Sequence, residues 1–164
     1  MIIADDCFLT SNENNIPVKS VEAGLEVADN TKVLSIRRHK KYKVMIKVIF
    51  NDDSYIIVGK NTYLQIVEEH DIGRIIEAKD VQPGQLLCPP LPPYADIFTW
   101  GSTYGIGIKK RQTMLQKVST IVFDECEYIN INGIPVLHDN YEHRIVRHVA
   151  RRSTSIGNLL LKYK

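Results

Sequence analysis

Apolar residues in this chain alternate with polar ones at every second position far more often than they recur at helical spacing. That period puts one face of a strand in a core and the other in water. The clearest case runs from Lys43 to Phe50, where Val44, Ile46 and Val48 share a face. Asn51-Asp52-Asp53-Ser54 follows as a turn by composition, because short polar side chains bond back to the local backbone, and Tyr55 to Val58 is predicted to return as the second arm of a hairpin. Upstream, Val33 to Ile36 reads as a strand ending in a basic turn at Arg37 to Lys41, and Ile16 to Val27 as a brief strand or turn of helix around Gly24. Cys7 to Glu13 is short and polar. Downstream, Tyr63 to Val67 is extended, Glu68 to Asp71 with Gly73 makes a turn, and Arg74 to Ala78 is a strand. A short helical turn at Lys79 to Gln82, a Pro83-Gly84 turn and a strand at Leu86-Leu87 complete this part.

From Cys88 to about Lys110 the pattern stops: four of the seven prolines fall there together with Gly101, Gly105 and Gly107, so this stretch is predicted to be a loop. Strand signals resume at Met114 to Phe123. Tyr128 to Leu137 then reads as two strands around an Asn132-Gly133 turn. In the tail beyond Tyr141, Ile145, Val146, Val149 and Ala150 are spaced for a basic amphipathic helix. Short strands between turn signals, with helix only in the tail, predict an all-β domain.

The chain has 164 residues, 44% hydrophobic and 24% charged, enough for one domain with a core of its own. No apolar run is long enough to cross a bilayer, and the first residues lack the pattern of a signal peptide, so an intracellular protein, cytoplasmic or encoded by a virus or phage, is expected. A net charge of +2 is too small to call for nucleic acid, although basic residues cluster at Arg37 to Lys41, Lys109 to Arg111 and Arg144 to Arg152; nucleic-acid binding is not expected from them, since most such runs are solvated faces. Three cysteines, Cys7, Cys88 and Cys126, form no metal-spaced pair, and the five histidines are spaced without a ligand pattern, so neither metal nor cofactor is expected.

The candidate chemistry lies at the end of the second of these strands. An asparagine such as Asn140, close to a histidine such as His138, can attack its own backbone carbonyl and break the chain without a second substrate. A companion nucleophile is then needed elsewhere, and Cys7 is suited to it, since a thiol is strongly nucleophilic even when only slightly ionised. The plain reading of the same residues is a hairpin turn followed by a loop, with Cys7 a small buried hydrophobe.

Several pieces in order resemble one family: a cysteine near the start, Val33-Leu34-Ser35, an alternating hairpin, Ala78-x-Asp80-Val81-x-Pro83-Gly84-x-Leu86-Leu87, and Ile131-Asn132-Gly133-Ile134-x-Val136-Leu137-His138-x-Asn140. This order, over residues 7 to 140, resembles the Hint domains of inteins, bacterial intein-like proteins and hedgehog proteins. The resemblance implies a horseshoe of short strands with pseudo-twofold halves, whose ends bring Cys7 beside Asn140. It implies a single-turnover self-processing domain, with Cys7 forming a thioester from the Asp6–Cys7 bond and Asn140 cyclising to break the Asn140–Tyr141 bond. Residues 1–6 and 141–164 would be flanks of a host polypeptide, the domain's own partner, and 88–112 the place where a homing endonuclease sits in longer relatives, giving a minimal form. A monomer is expected.

The departures from the family pattern concern the proton-handling residues. Where the family carries Thr-x-x-His to polarise the first scissile bond, this chain has Gly59 and Thr62, with Asn61 or Thr62 left to supply a hydrogen bond. Where the family has His directly before Asn, Asp139 intervenes. A one-residue shift aims a strand side chain at the opposite face unless a bulge intervenes, so Asp139 would take part of that work, and Asp124 would orient either end. General acid–base help is worth about 10² to 10⁴ in rate, so these changes predict a slow or inactive domain. Tyr141 follows Asn140 where splicing needs Cys, Ser or Thr, which favours cleavage over ligation. The rival reading is a catalytically degenerate Hint-like module whose basic turn and tail contact an acidic partner.

Overall fold

The computed structural model describes residues 1–11, 14–27, 31–68, 71–87, 106–124, 126 and 128–138. The helix expected in the tail lies outside them, as do Cys88, Asp139, Asn140 and Tyr141. Fourteen strands are described, in chain order β1 (Ile2–Ala4), β2 (Phe8–Ser11), β3 (Asn14–Pro17), β4 (Glu26–Val27), β5 (Thr31–Arg38), β6 (Lys43–Phe50), β7 (Tyr55–Val58), β8 (Tyr63–Glu68), β9 (Asp71–Glu77), β10 (Leu86–Leu87), β11 (Ile106–Gln116), β12 (Val118–Phe123), β13 (Tyr128–Ile131) and β14 (Ile134–Leu137). Single 3₁₀ turns stand at Val18–Ser20 and Ala78–Asp80. The fold is all-β, as the period-two pattern requires.

Ten strands join one antiparallel sheet in the order β4-β5-β12-β1-β7-β6-β11-β10-β8-β9, and β14-β13-β2-β3 form a second. The β6–β7 hairpin forms as predicted, with Ile46 opposite Val58 and Ile49 opposite Tyr55. Its turn is closed by Asp52 Oδ1, which accepts from Ser54 N at 3.0 Å, and Asp53 takes φ 65°, a conformation short polar residues tolerate. Strands β5 and β6 do not pair with each other. They pair with β12 and β11, so that 31–50 and 106–123 make one long bent ribbon.

The molecule is built twice over. A 3₁₀ turn, a glycine at φ 91° and a two-residue strand follow β3, and the same series, with Gly84 at φ 92°, follows β9. Gly24 N donates to Val33 O and Val33 N to Leu25 O; in the other half Gly84 N donates to Ile108 O and Ile108 N to Gln85 O. The likeness extends back to the preceding loops. Cys7 N donates to Ala4 O and Val18 N to Cys7 O, while Thr62 N donates to Gly59 O and Ala78 N to Thr62 O. Cys7 and Thr62 are thus equivalent positions of two pseudo-twofold halves, and β1 and β7 pair antiparallel between them, Ile3 opposite Val58.

Several stretches differ from the sequence reading: Gly73, expected in a turn, lies within β9, and Val44, expected on the buried face of β6, is exposed. Residues 1–6, expected as a flank, supply β1 to the middle of the larger sheet between β12 and β7, with Ile3 and Ala4 fully buried. Strand β11 starts at Ile106, inside the expected 88–112 loop, because eight residues of it are paired with β6 regardless of the glycines nearby. At Gly107 a Cβ would run into the Asn51 side-chain amide, so the bare backbone suits this close approach. Phe8–Ser11, read as polar loop, is a strand whose Leu9 sits in the core opposite Ile131. A single core runs through both halves, with Ile3, Leu9, Phe50, Ile56, Leu64, Ile66, Ile121 and Phe123 at its centre.

Candidate active site

The turn that carries Cys7 packs against β7 and the β13–β14 turn. Asp5 is fixed by its backbone N on Lys117 O and by Oδ1, which accepts from Ser119 Oγ at 2.7 Å with Arg38 at 3.9 Å. Asp6 is exposed and Cys7 is fully buried. The thiol donates to Ile57 O at 3.8 Å and accepts from Asn132 Nδ2 at 3.8 Å. Burial pushes it up to about 11, against weaker lowering by these two hydrogen bonds.

Asn132 was legible only as a turn residue. Its φ of 51° and the φ of 79° at Gly133 suit the two-residue turn between β13 and β14. Its side chain does more: Oδ1 accepts from Phe8 N at 2.8 Å and Nδ2 donates to Tyr55 O at 2.7 Å and to the Cys7 thiol. One amide therefore clamps the residue after Cys7, the start of β7 and the thiol itself. No local signal could show this, since Asn132 lies 125 positions from Cys7.

The 59–62 turn, which the resemblance assigns to the first scissile bond, is not at Cys7. Gly59 N donates to Ile2 O, and a Cβ at Gly59 would meet Ile2 Cβ at 3.6 Å. Thr62 is buried and Asn61 exposed at this turn. Here an open groove of about 730 Å³ is lined by Ile2, Met45, Ile46, Asn61, Thr62 and Thr113 with Lys43, Lys60, Lys79 and Glu77. The residue this turn holds is Ile2, whose side chain has no nucleophilic atom.

At the other candidate end, β14 stops at Leu137, so His138 lies past the strand and the alternation rule does not fix its direction. It turns inward, 1% exposed, with its ring edge-on to Phe123 at 5.8 Å between centroids. Asp124 is exposed, and its backbone N donates to Lys32 O. The structure thus brings Cys7 together with Asn132 and Ile57, Thr62 with Ile2, and His138 with Phe123. Among the described residues no three His, Cys, Asp or Glu side chains gather as a metal site.

A native thiol this deeply buried stays protonated at neutral pH. We expect Cys7 to resist alkylation at pH 7.5 in the folded protein and to react on unfolding, as followed by mass spectrometry of the peptide carrying it. Because the folded thiol titrates near 11 against 9.0 for the ordinary group, the unfolded state loses its proton first as pH rises. Stability from this group is therefore complete below pH 9 and falls by about 2–3 kcal/mol as pH climbs to 11. Cys7→Thr, which copies the equivalent position Thr62, should keep the fold and abolish that pH dependence in chemical denaturation.

No family model matches this chain, and no curated protein matches it in sequence. Solved structures do. The MchDnaB-1 intein superposes with a TM-score of 0.63 at 14% identity, covering 83% of this chain and 99% of its own. The gp41-1 intein gives 0.61 at 12% identity over 84% and 99%, and the Msm DnaB1 intein splicing domain gives 0.61 at 15% over 83% and 99%. The chain has the Hint fold of these inteins.

Proposed function

We propose that this chain is an intein-type self-processing domain confined to its C-terminal junction, breaking the Asn140–Tyr141 bond while the thioester step at Asp6–Cys7 is lost. The observation that carries the second half is the position of Cys7. It is the pseudo-twofold counterpart of Thr62, closed into a backbone turn, buried and with its thiol pushed up to about 11, and the turn that the family uses at its first scissile bond lies on Ile2 instead. A nucleophile needs access and an ionised fraction, and Cys7 has neither.

In the first half of the proposal the Asn140 side-chain nitrogen attacks its own carbonyl carbon, forming a C–N bond as the bond to Tyr141 nitrogen breaks. The products are a succinimide at 140 and a free amine on Tyr141, so atoms balance without a co-reactant. The amine leaves only if it takes up a proton, and His138, buried two residues before Asn140, is the donor we assign. Tyr141 cannot accept an acyl chain as a small hydroxyl or thiol would, so the reaction ends at cleavage.

The rival, a Hint fold kept purely for binding, is favoured by one observation: the 59–62 turn carries Thr62 where the family pattern has a histidine, and the residue whose carbonyl it binds is Ile2, which offers no nucleophile. Intact mass separates the two. Incubated near neutral pH, the 18.7 kDa chain is expected to lose residues 141–164, Asn140→Ala to stay whole, and Cys7→Ala to cleave like the parent. A chain that keeps its full mass while folded overturns the proposal in favour of the rival. Thiol-dependent loss of residues 1–6, stopped by Cys7→Ala, would restore the thioester step.

A further inference from the structure

The bent ribbon has an unusual charge distribution. Residues 31–50 hold seven lysines and arginines and residues 106–123 hold four, and neither stretch contains a single aspartate or glutamate, in a chain whose net charge is only +2. At the bend the two connections lie together. Arg38 stands opposite Ser119 and Lys43 opposite Gln116, with His39 N donating to Val118 O, so the 39–42 link and Lys117 share one place. Arg37, Lys40, Lys41, Lys43 and Lys117 are all exposed there. Arg38 is spent differently, on Val18 O, Val21 O and Ser119 Oγ. Desolvation, and after it the charges of Lys43 and Arg37, hold the His39 imidazole below its usual range.

Exposed apolar side chains sit among these cations. Tyr42 is 65% exposed, and Val44 and Leu115, opposite each other in the ladder, are 60% and 62% exposed. From Lys43, Val44 and Thr113 the groove of about 730 Å³ leads to Lys60, Asn61 and Lys79. Its carboxylate, Glu77, is held by Lys79 at 3.2 Å, and among the described residues none pairs with Lys43 or Lys60.

We propose that the ribbon bend and the groove leading from it bind single-stranded nucleic acid, the lysines and Arg37 taking phosphates and Tyr42 stacking on a base. A flat lipid surface reaches the bend and leaves the concave groove empty. An acidic peptide meets the same cations but offers the exposed ring of Tyr42 nothing comparable to a base face. A flexible polyanion with aromatic bases uses both features. This site uses neither Cys7 nor His138, and binding is read without any cleavage, so it can fail or hold independently of the self-processing proposal.

The test is fluorescence anisotropy of the full chain with a labelled oligonucleotide of about 20 nucleotides. Neutralising five phosphates predicts that affinity falls about 100-fold between about 50 and about 200 mM salt. The combined Lys40→Glu, Lys41→Glu and Lys43→Glu variant should lose binding by a factor of about 30 or more. Tyr42→Ala alone should cost about 5-fold or more. These side chains are exposed, and an unchanged circular dichroism spectrum checks the fold. Arg144→Glu with Arg151→Glu, in the equally basic tail, should change little. The proposal is overturned by no binding at the lower salt, by loss in the tail variant with none at the bend, or by tighter binding to phosphatidylserine vesicles or to polyglutamate than to the oligonucleotide.

Discussion

Ile3→Asp, or deletion of residues 1–6, is expected to leave the chain unfolded, with no cooperative thermal transition by circular dichroism. Strand β1 has only three residues, yet it joins the two halves. Ile3 stands opposite Ser119 of β12 on one side and Val58 of β7 on the other, and its side chain is fully buried. Without it the strand order β12-β1-β7 loses its middle member, and backbone groups on both neighbours lose their partners. Truncation to Ala alone should cost about 2–5 kcal/mol, a large share of the roughly 5–15 kcal/mol that holds a domain together. Aspartate adds the desolvation of an unpaired charge to that loss. The same geometry bears on processing: a chain cut between Asp6 and Cys7 would keep its first strand bound by ladders on both sides. If the deletion variant melted cooperatively near the parent's temperature, β1 would be dispensable and the description of residues 1–6 as a flank would regain its force.

Asn132→Ala should be the most damaging single change outside the apolar core, lowering unfolding free energy by about 2–4 kcal/mol. Two of the three hydrogen bonds its amide makes go to backbone groups, Phe8 N and Tyr55 O, and leaving such groups without a partner costs about 1–3 kcal/mol each where water cannot replace the bond. Alanine keeps the Cβ that Asn132 already holds at φ 51° but loses the polar side chain that eases this conformation, a strain of order 1–2 kcal/mol that glycine escapes. Asn132→Gly should therefore fall between parent and Ala. Asn132→Asp keeps the acceptor for Phe8 N and turns an oxygen toward Tyr55 O, so it should resemble Ala in stability. Urea midpoints at constant slope measure all three. If Gly and Ala destabilise equally, the backbone strain contributes nothing; if Asp matches the parent, the bond to Tyr55 O is not what anchors the clamp.

Much of the fold was readable in the chain itself. The strand at Lys43–Phe50, the Asn51–Ser54 turn, the helical turn before Pro83-Gly84 and the Asn132-Gly133 hairpin are all local patterns, and each appears where its pattern lies; the alternation holds for Ile46 and Val48, while Val44 is exposed and Met45 buried where β6 reaches the bend. The strands the sequence hid are those whose local signal contradicts their partners. Ile2–Ala4 is too short to show a period, Phe8–Ser11 mixes Leu9 with polar neighbours, and Ile106–Gln116 begins among glycines. Pairing with β12, β3 and β6 overrode each weak propensity, which is the usual fate of strand preference inside a sheet.

The candidate site divides the same way. A cysteine near the start, a histidine near the end and their distance along the chain could be read directly, and so could the order of motifs shared with Hint domains. Their chemical state could not. Whether Cys7 is a nucleophile depends on what surrounds its sulfur, and Ile57 and Asn132 arrive there from 50 and 125 positions away. The equivalence of Cys7 with Thr62 exists only as matching hydrogen bonds in two halves whose residues differ. The convergence of Lys43 with Lys117 likewise needs the ribbon that pairs 31–50 with 106–123. By itself the sequence determined the overall class, the turns and the strands with a clear period, because side-chain period and turn chemistry act over a few residues. Only the tertiary structure decided burial, ionisation and which charges share a surface, because those follow from ladders that join residues far apart in the chain.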